Sequence, residues 1–173
     1  MDNAALAIAA LRASGLVVSD EAIAQGLQSV VWPGRMQNLP KGALTEVSQA
    51  RTIWLDGGHN PHAAKAQAQV LGEASADDTV LICAMLNTKD QRGYFAALSK
   101  AVSRVITIPI TSSDAGVDPH DLRQTASSAG LRATTAANLR EALEMAGGAE
   151  RILIGGSLYL VGDALAQNGT PPV

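Results

Sequence analysis

The sequence predicts an α/β domain built on a mostly parallel sheet flanked by helices, and three observations carry that prediction. Short strand-like runs alternate with helix-compatible segments along most of the chain, the pattern of strand and right-handed crossover. The residues are aliphatic rather than aromatic, 47% hydrophobic but only 3% Phe, Trp and Tyr, as suits strands covered on both faces by helices. Each of the main strand-like runs ends in polar or glycine residues, so the strand ends would share one functional rim. Turns are polar in any case, and the third observation fits a rim and ordinary loops equally well. At 173 residues the chain holds one domain, or one domain with a piece of another.

The elements follow in order. Asn3–Ala13 reads as a helix with Asp2 or Asn3 as cap, Leu6, Ala9, Ala10 and Ala13 on one face, and Gly15 as its stop. A second helix runs from about Asp20 to Ser29 behind Ser19 or Asp20, with Ile23, Leu27 and Val30 on one side. This helical hairpin is too small to bury itself and reads as the end of a larger body. Trp32-Pro33-Gly34-Arg35 breaks the pattern, and two short extended segments between Met36 and Val47, around Pro40-Lys41-Gly42, read as a β-hairpin. The boundary falls here, dividing residues 1–31 from residues 32–173.

Beyond it, strand Thr52–Asp56 leads to helix His62–Glu73, strand Thr79–Ala84 to helix Gln91–Val102, and strand Arg104–Ile108 to helix Asp118–Ala129. A weak strand near Leu131–Thr134 leads to helix Asn138–Gly147, and strand Arg151–Gly155 to helix Ser157–Gln167. The tail from Asn168 reads as frayed.

Composition narrows the function classes. The formal net charge is −3 with no lysine or arginine cluster, which leaves no footprint for nucleic acid or an anionic membrane. No run reaches 18 apolar residues and the start lacks the basic region of a signal peptide, so a soluble cytoplasmic protein is expected. Cys83, the single cysteine, cannot form an internal disulfide and reads as a small buried hydrophobe. There is no Gly-x-x-x-x-Gly-Lys-Ser/Thr and no Gly-x-Gly-x-x-Gly after a strand, so this chain would not by itself cradle the β- and γ-phosphates of ATP.

The most informative stretch is Ile53-Trp-Leu-Asp-Gly-Gly-His-Asn-Pro61, a strand that hands an acid, a histidine and an amide to a loop. Asp56 can accept from a ribose hydroxyl or a metal's water, and His59 can donate to an oxyanion or move a proton near neutral pH. A purely structural account has Asp56 capping the next helix, Gly57 and Gly58 making the turn and Pro61 in the first helical turn; it leaves His59 and Asn60 unexplained. Gly155-Gly156-Ser157 can hold a carboxylate or phosphate at a helix N-terminus, or be a tight turn with a serine cap. Arg35 suits a phosphate or an adenine face, or is a solvated hinge charge. Lys89-Asp90 is a salt-bridged loop or cap, or a lysine reaching for an anion. Asp56, His59 and His62 are spaced three apart with His120 elsewhere, but nothing fixes a fourth ligand, and no metal site is assigned.

Read together, Trp32-Pro33-Gly34-Arg35-Met36-Gln37, Leu55-Asp56-Gly57-Gly58-His59-Asn60-Pro61, Lys89-Asp90 and Gly155-Gly156-Ser157-Leu158-Tyr159-Leu160-Val161-Gly162 resemble the C-terminal part of folylpolyglutamate synthases, including the bifunctional dihydrofolate synthases, within the Mur ligase superfamily. The motifs keep the family's order over nearly the whole chain. The one small departure is Gly58, where alanine is common. The resemblance implies a Rossmann-like glutamate-binding domain over 32–173, and a remnant of the central ATPase domain over 1–31. It implies an ATP-dependent amide ligase that joins L-glutamate to dihydropteroate or folates through an acyl phosphate, for folate biosynthesis and polyglutamylation. Arg35 and Asp56 would bind nucleotide and His59 and Ser157 the incoming glutamate, with Asn60, Lys89, Asp90, Gly155 and Gly156 in support. ATP and Mg²⁺ would be held mainly by an N-terminal ATPase domain that this chain lacks, so the chain alone is expected to be inactive, and a monomer. Two other readings are a different Mur-type amino-acid ligase domain and a non-enzymatic anion-binding α/β module.

Overall fold

The computed structural model describes residues 2–48, 50–72 and 78–171, and the chain divides into two compact units, Met1–Trp32 and Pro33–Val173. The first unit contains α1 (Asp2–Ala13) and α2 (Asp20–Ser29). Ser19, not Asp20, caps α2, accepting from the Ala22 amide at 3.1 Å. Asp20 meets Arg12 at 3.3 Å, an exposed pair that adds little stability. No residue of α2 is buried, and the expected apolar faces stand open, with Leu6 71% and Val30 61% exposed.

The second unit carries strands β1 (Gln37–Asn38), β2 (Thr52–Asp56), β3 (Thr79–Cys83), β4 (Arg104–Thr107), β5 (Arg132–Thr135) and β6 (Arg151–Gly155). Its helices are α3 (Ala43–Val47), α4 (Pro61–Leu71), α5 (Gln91–Leu98), α6 (Pro119–Ser128), α7 (Leu139–Met145) and α8 (Leu158–Asn168). The sheet runs β1-β2-β6-β3-β4-β5 and is parallel except where β1 pairs with β2. The chain steps from β2 over to β3, β4 and β5, then returns to insert β6 between β2 and β3. With crossovers of one hand, that reversal sends α4, α5 and α6 to one face and α7 and α8 to the other.

The core divides accordingly. Leu81, Cys83 and Leu153 pack with Tyr94, Phe95 and Leu122 on one face, while Ile53, Leu55, Ile82 and Ile154 pack with Leu143, Leu160 and Val161 on the other. The α/β, mostly parallel architecture is therefore as expected. Among the described residues no helix is long and apolar enough to cross a membrane.

Two expectations are corrected. The hairpin between Met36 and Val47 does not form: Gln37 and Asn38 pair with Leu55 and Trp54 of β2, and Ala43–Val47 is helical. A helix puts Leu44 and Val47, three residues apart, on one side, where both pack on the α7–α8 core. Nor is the tail loose at Asn168. That residue is buried, accepts from the Leu44 amide at 3.0 Å and donates to the Pro40 carbonyl at 2.9 Å, tying the end of α8 to the start of α3. The expected helix end at Glu73 and residues 172–173 of the tail lie outside the described residues.

Candidate functional site

Strand register places the site. Asp56 of β2 and Cys83 of β3 both stand opposite Gly155 of β6, so the three loops that follow leave the sheet side by side. This is also where successive connections turn to opposite faces, the switch point at which parallel sheets open a ligand crevice.

His59, Lys89, Gly156 and Ser157, one or two from each loop, line a single cleft of about 150 Å³ there, walled by Leu86, Leu158 and Tyr159. Ser157 is buried and caps α8, accepting from the Tyr159 amide at 3.1 Å. The cap-and-turn account thus holds for Ser157, while the same hydroxyl keeps its proton to donate. Gly156 adopts φ +95°, and a Cβ there would lie 2.7 Å from Cys83 Sγ and 2.9 Å from the Ala84 carbonyl oxygen. His59 Nδ1 lies 2.9 Å from the Gly57 carbonyl oxygen. A carbonyl only accepts, so Nδ1 carries the proton and Nε2 is the ring nitrogen left for a ligand.

Two expected supporting residues act locally. Asn60 accepts from the Ala63 amide at 2.9 Å and caps α4 ahead of Pro61, and Asp90 accepts from the Gly93 amide at 2.9 Å and caps α5. The cap of α4 is therefore Asn60 and not Asp56. Gly155 closes β6, with the Tyr94 hydroxyl 3.2 Å from where its Cβ would be.

Leu158 joins the cleft to a second cluster. A Cβ on Gly57 would fall 2.2 Å from Leu158 Cδ2 and 3.3 Å from an Arg35 guanidinium nitrogen, so packing demands glycine and Arg35 lies against the loop. Gly57 N–H donates to the Gly34 carbonyl at 2.8 Å, Gly34 N–H to Gln37 Oε1 at 2.9 Å, and Met36 N–H to Asp56 Oδ2 at 2.9 Å. Gly34–Gln37 and the Asp-Gly-Gly-His loop, separate in sequence, are laced together here.

Asp56 is 6% exposed and aimed inward. Its Oδ1 accepts from the Gly58 amide at 2.7 Å and from Gln67 Nε2 at 2.8 Å, and Gln67 Oε1 in turn accepts from the Tyr94 hydroxyl at 3.0 Å. Burial pushes the Tyr94 phenol well above its ordinary range, with Cys83 and Asp56 adding and the Gln67 bond opposing, so the O–H stays a neutral donor. A carboxylate has about four acceptor positions. Among the described residues, protein groups fill two on Oδ1 and one on Oδ2, so one acceptor position on Oδ2 has no protein donor.

Sequence reasoning singles out neither Gln67 nor Tyr94. The available signal is helical spacing: Ala64, Gln67 and Leu71 form the buried face of α4, and an amide on such a face needs a partner. Burial pushes the Cys83 thiol far up, which removes it as a nucleophile. His62 and His120 are exposed, and among the described residues no three His, Cys, Asp or Glu side chains could together hold a metal ion.

Residues 34–158 match the family model described as Mur ligase, glutamate ligase domain. The Escherichia coli dihydrofolate synthase/folylpolyglutamate synthase is 38% identical over 109 residues, covering 62% of this chain and 24% of that protein. A probable bifunctional folylpolyglutamate synthase/dihydropteroate synthase of Haloferax volcanii is 32% identical over 94% of this chain and 19% of its own length. Among solved structures, Mycobacterium tuberculosis folylpolyglutamate synthase complexed with ADP and AMPPCP superposes with a TM-score of 0.77 at 27% identity, covering 94% of this chain. Escherichia coli FolC in complex with DHPP and ADP gives 0.76 at 30% identity, covering 95%. This chain spans 38% of each of those two structures.

Proposed function

The chain belongs to the Mur ligase, glutamate ligase domain family, and from that premise we propose that it is the glutamate-binding part of an ATP-dependent amide ligase acting on dihydropteroate, folates or both. One observation carries the reading: His59, Lys89, Gly156 and Ser157 converge on one cleft at the sheet's switch point, joined through Leu158 to Arg35 and Asp56. The cleft is cationic and rich in donors at a helix N-terminus, the environment a dicarboxylate amino acid requires.

In this reading Lys89, the Ser157 hydroxyl and the Leu158 amide at the start of α8 hold glutamate carboxylates. His59, protonated on Nδ1, presents Nε2 to the α-amino group and takes its proton, leaving the amine free to attack. ATP is a substrate: the pterin-side carboxylate takes its γ-phosphoryl group with release of ADP, the glutamate amine attacks the acyl phosphate, and phosphate leaves. Arg35 and the open position on Asp56 Oδ2 contact the nucleotide. The exposed arginine and the single remaining acceptor fit that task. Mg²⁺ is assigned with the nucleotide phosphates to the neighbouring ATPase domain, and no step is assigned to a metal held by this chain.

Residues 1–31 are read as the end of a neighbouring ATPase domain, the main partner of 32–173, and the whole as a cytoplasmic monomer. The 173-residue chain alone is expected not to turn over ATP. The binding half of the proposal is checked by titrating the chain with L-glutamate and following amide and imidazole resonances by NMR. Shifts confined to His59, Lys89 and Gly156–Tyr159, weakened in His59→Ala and Ser157→Ala, are expected; shifts elsewhere, or none up to high millimolar glutamate, count against it.

A further inference from the structure

Asp56 reaches four parts of the chain. It meets the linker at Met36, its own loop at Gly58, α4 at Gln67 and, through Gln67, α5 at Tyr94. The bonds form a directed series. Gln67 Nε2 faces the carboxylate, so Oε1 faces Tyr94, and the buried phenol is the donor. Turning the amide over would set Oε1 against the carboxylate. The carboxylate, which only accepts, selects the orientation with Nε2 toward it, and the Tyr94 hydroxyl supplies the donor that Gln67 Oε1 then needs.

The other end of the series is a strained one. Met36 has φ +40°, the one non-glycine positive φ among the described residues, and its N–H is bound to Asp56 Oδ2. Arg35 precedes it, with its guanidinium against Gly57. The direction in which Arg35 leaves the backbone thus depends on a turn that the carboxylate holds.

We propose that Gln67 and Tyr94 are positioning residues: together they fix the plane of the Asp56 carboxyl group, Asp56 holds Met36 in its left-handed turn, and that turn sets Arg35 over Gly57. The nucleotide consequence rests on the reading of Arg35 and Asp56 given above, whereas the clamp stands on geometry alone. Neither residue touches a reacting atom, and both act through Asp56.

The test uses the 173-residue chain, amide hydrogen exchange by NMR, and ADP as the probe. In Gln67→Leu the amides of Met36 and Gly58 should exchange roughly tenfold faster, and in Tyr94→Phe about threefold faster, while Ile82 and Leu153 keep their wild-type rates. In Gln67→Glu the introduced carboxyl can donate to Asp56 only while protonated. Protection at Met36 and Gly58 should then fall, relative to wild type at the same pH, as pH rises from about 5 to about 8, a trend that loss of packing would not produce. ADP should shift the Arg35 and Met36 resonances in wild type, with affinity about tenfold weaker in Gln67→Leu.

Wild-type exchange at Met36 and Gly58 in Gln67→Leu would overturn the clamp, and Tyr94→Phe decides the matter should Gln67→Leu unfold. Faster exchange with unchanged ADP affinity would overturn the nucleotide consequence. If ADP moves nothing in wild type, the nucleotide reading itself fails, and exchange alone then judges the clamp.

Discussion

Gly57 and Gly58 are adjacent, yet different neighbours exclude a side chain at each. At Gly57 the obstacle is Leu158, which belongs to the cleft wall; at Gly58 a Cβ would sit 2.7 Å from Gln67 Nε2, 2.8 Å from Ala63 Cβ and 2.8 Å from Asp56 Oδ1. Gly58→Ala should therefore destabilise the chain by about 1–3 kcal/mol unless Gln67 moves as well, as read by urea unfolding. Paired with Gln67→Ala it should cost less than the sum of the two. Tyr94 and Cys83 supply a pH prediction. Both are acids whose folded-state pKa is raised, so the folded chain keeps their protons after the unfolded chain has lost them. Stability is full below the unfolded values of about 8.5 for Cys83 and about 10 for Tyr94, and declines as pH rises through them. Tyr94→Phe should remove up to about 1.4 kcal/mol per pH unit of the decline above pH ~10, and an unchanged slope in urea titrations would contradict it. At this scale the sequence exposes His59 and Ser157, because a turn alone does not call for a histidine and a helix cap already calls for a serine. Gln67 stays hidden, since glutamine on a helix ordinarily faces solvent.

Among the elements, helix starts absorb much of the polarity that reads as function. Asn60, Asp90, Asp118, Asn138 and Ser157 each cap the helix that follows a strand, and only Ser157 also lines the cleft. That is why the strand ends look like one continuous rim in sequence while the cleft draws on three loops. Strands β2 and β6 are legible to the residue, since each is a short apolar run stopped by Asp56 or Gly155. The segment from Met36 to Val47 is not, because Gln37 and Asn38 pair with β2 instead of with the residues after Pro40-Lys41-Gly42, and its cover α8 lies far along the chain. Asn168 makes the same point: a polar residue before Gly-Thr-Pro reads as a loose end, yet it binds Leu44 and Pro40. Asn168→Ala should cost about 1–3 kcal/mol, chiefly by stranding the buried Leu44 amide, and should speed exchange at Leu44 first. Thr79 is the converse case: its buried hydroxyl has no partner among the described residues. Thr79→Val should leave stability unchanged or raise it by up to about 1 kcal/mol, checked by the unfolding midpoint.

For the molecule as a whole, topology carries the argument. Inserting β6 between β2 and β3 aligns Asp56, Gly155 and Cys83, and with them the loops bearing His59, Ser157 and Lys89. Alternating strands and helices foretell a parallel sheet, but not this order; only long-range pairing sets it. The 38% span within the Escherichia coli and Mycobacterium tuberculosis structures makes joining the chain to the rest of a relative the natural experiment. The measurement we would make is ADP release by a chimera in which this chain replaces the matching part of the Escherichia coli dihydrofolate synthase/folylpolyglutamate synthase. It would be supplied with ATP, magnesium, L-glutamate and either dihydropteroate or tetrahydrofolate. The account predicts release that requires both glutamate and a pterin substrate, falls about a hundredfold in His59→Ala, and is absent from the 173-residue chain alone. A folded chimera that binds ATP yet releases no ADP in response to either pterin, or one indifferent to His59→Ala, would contradict it.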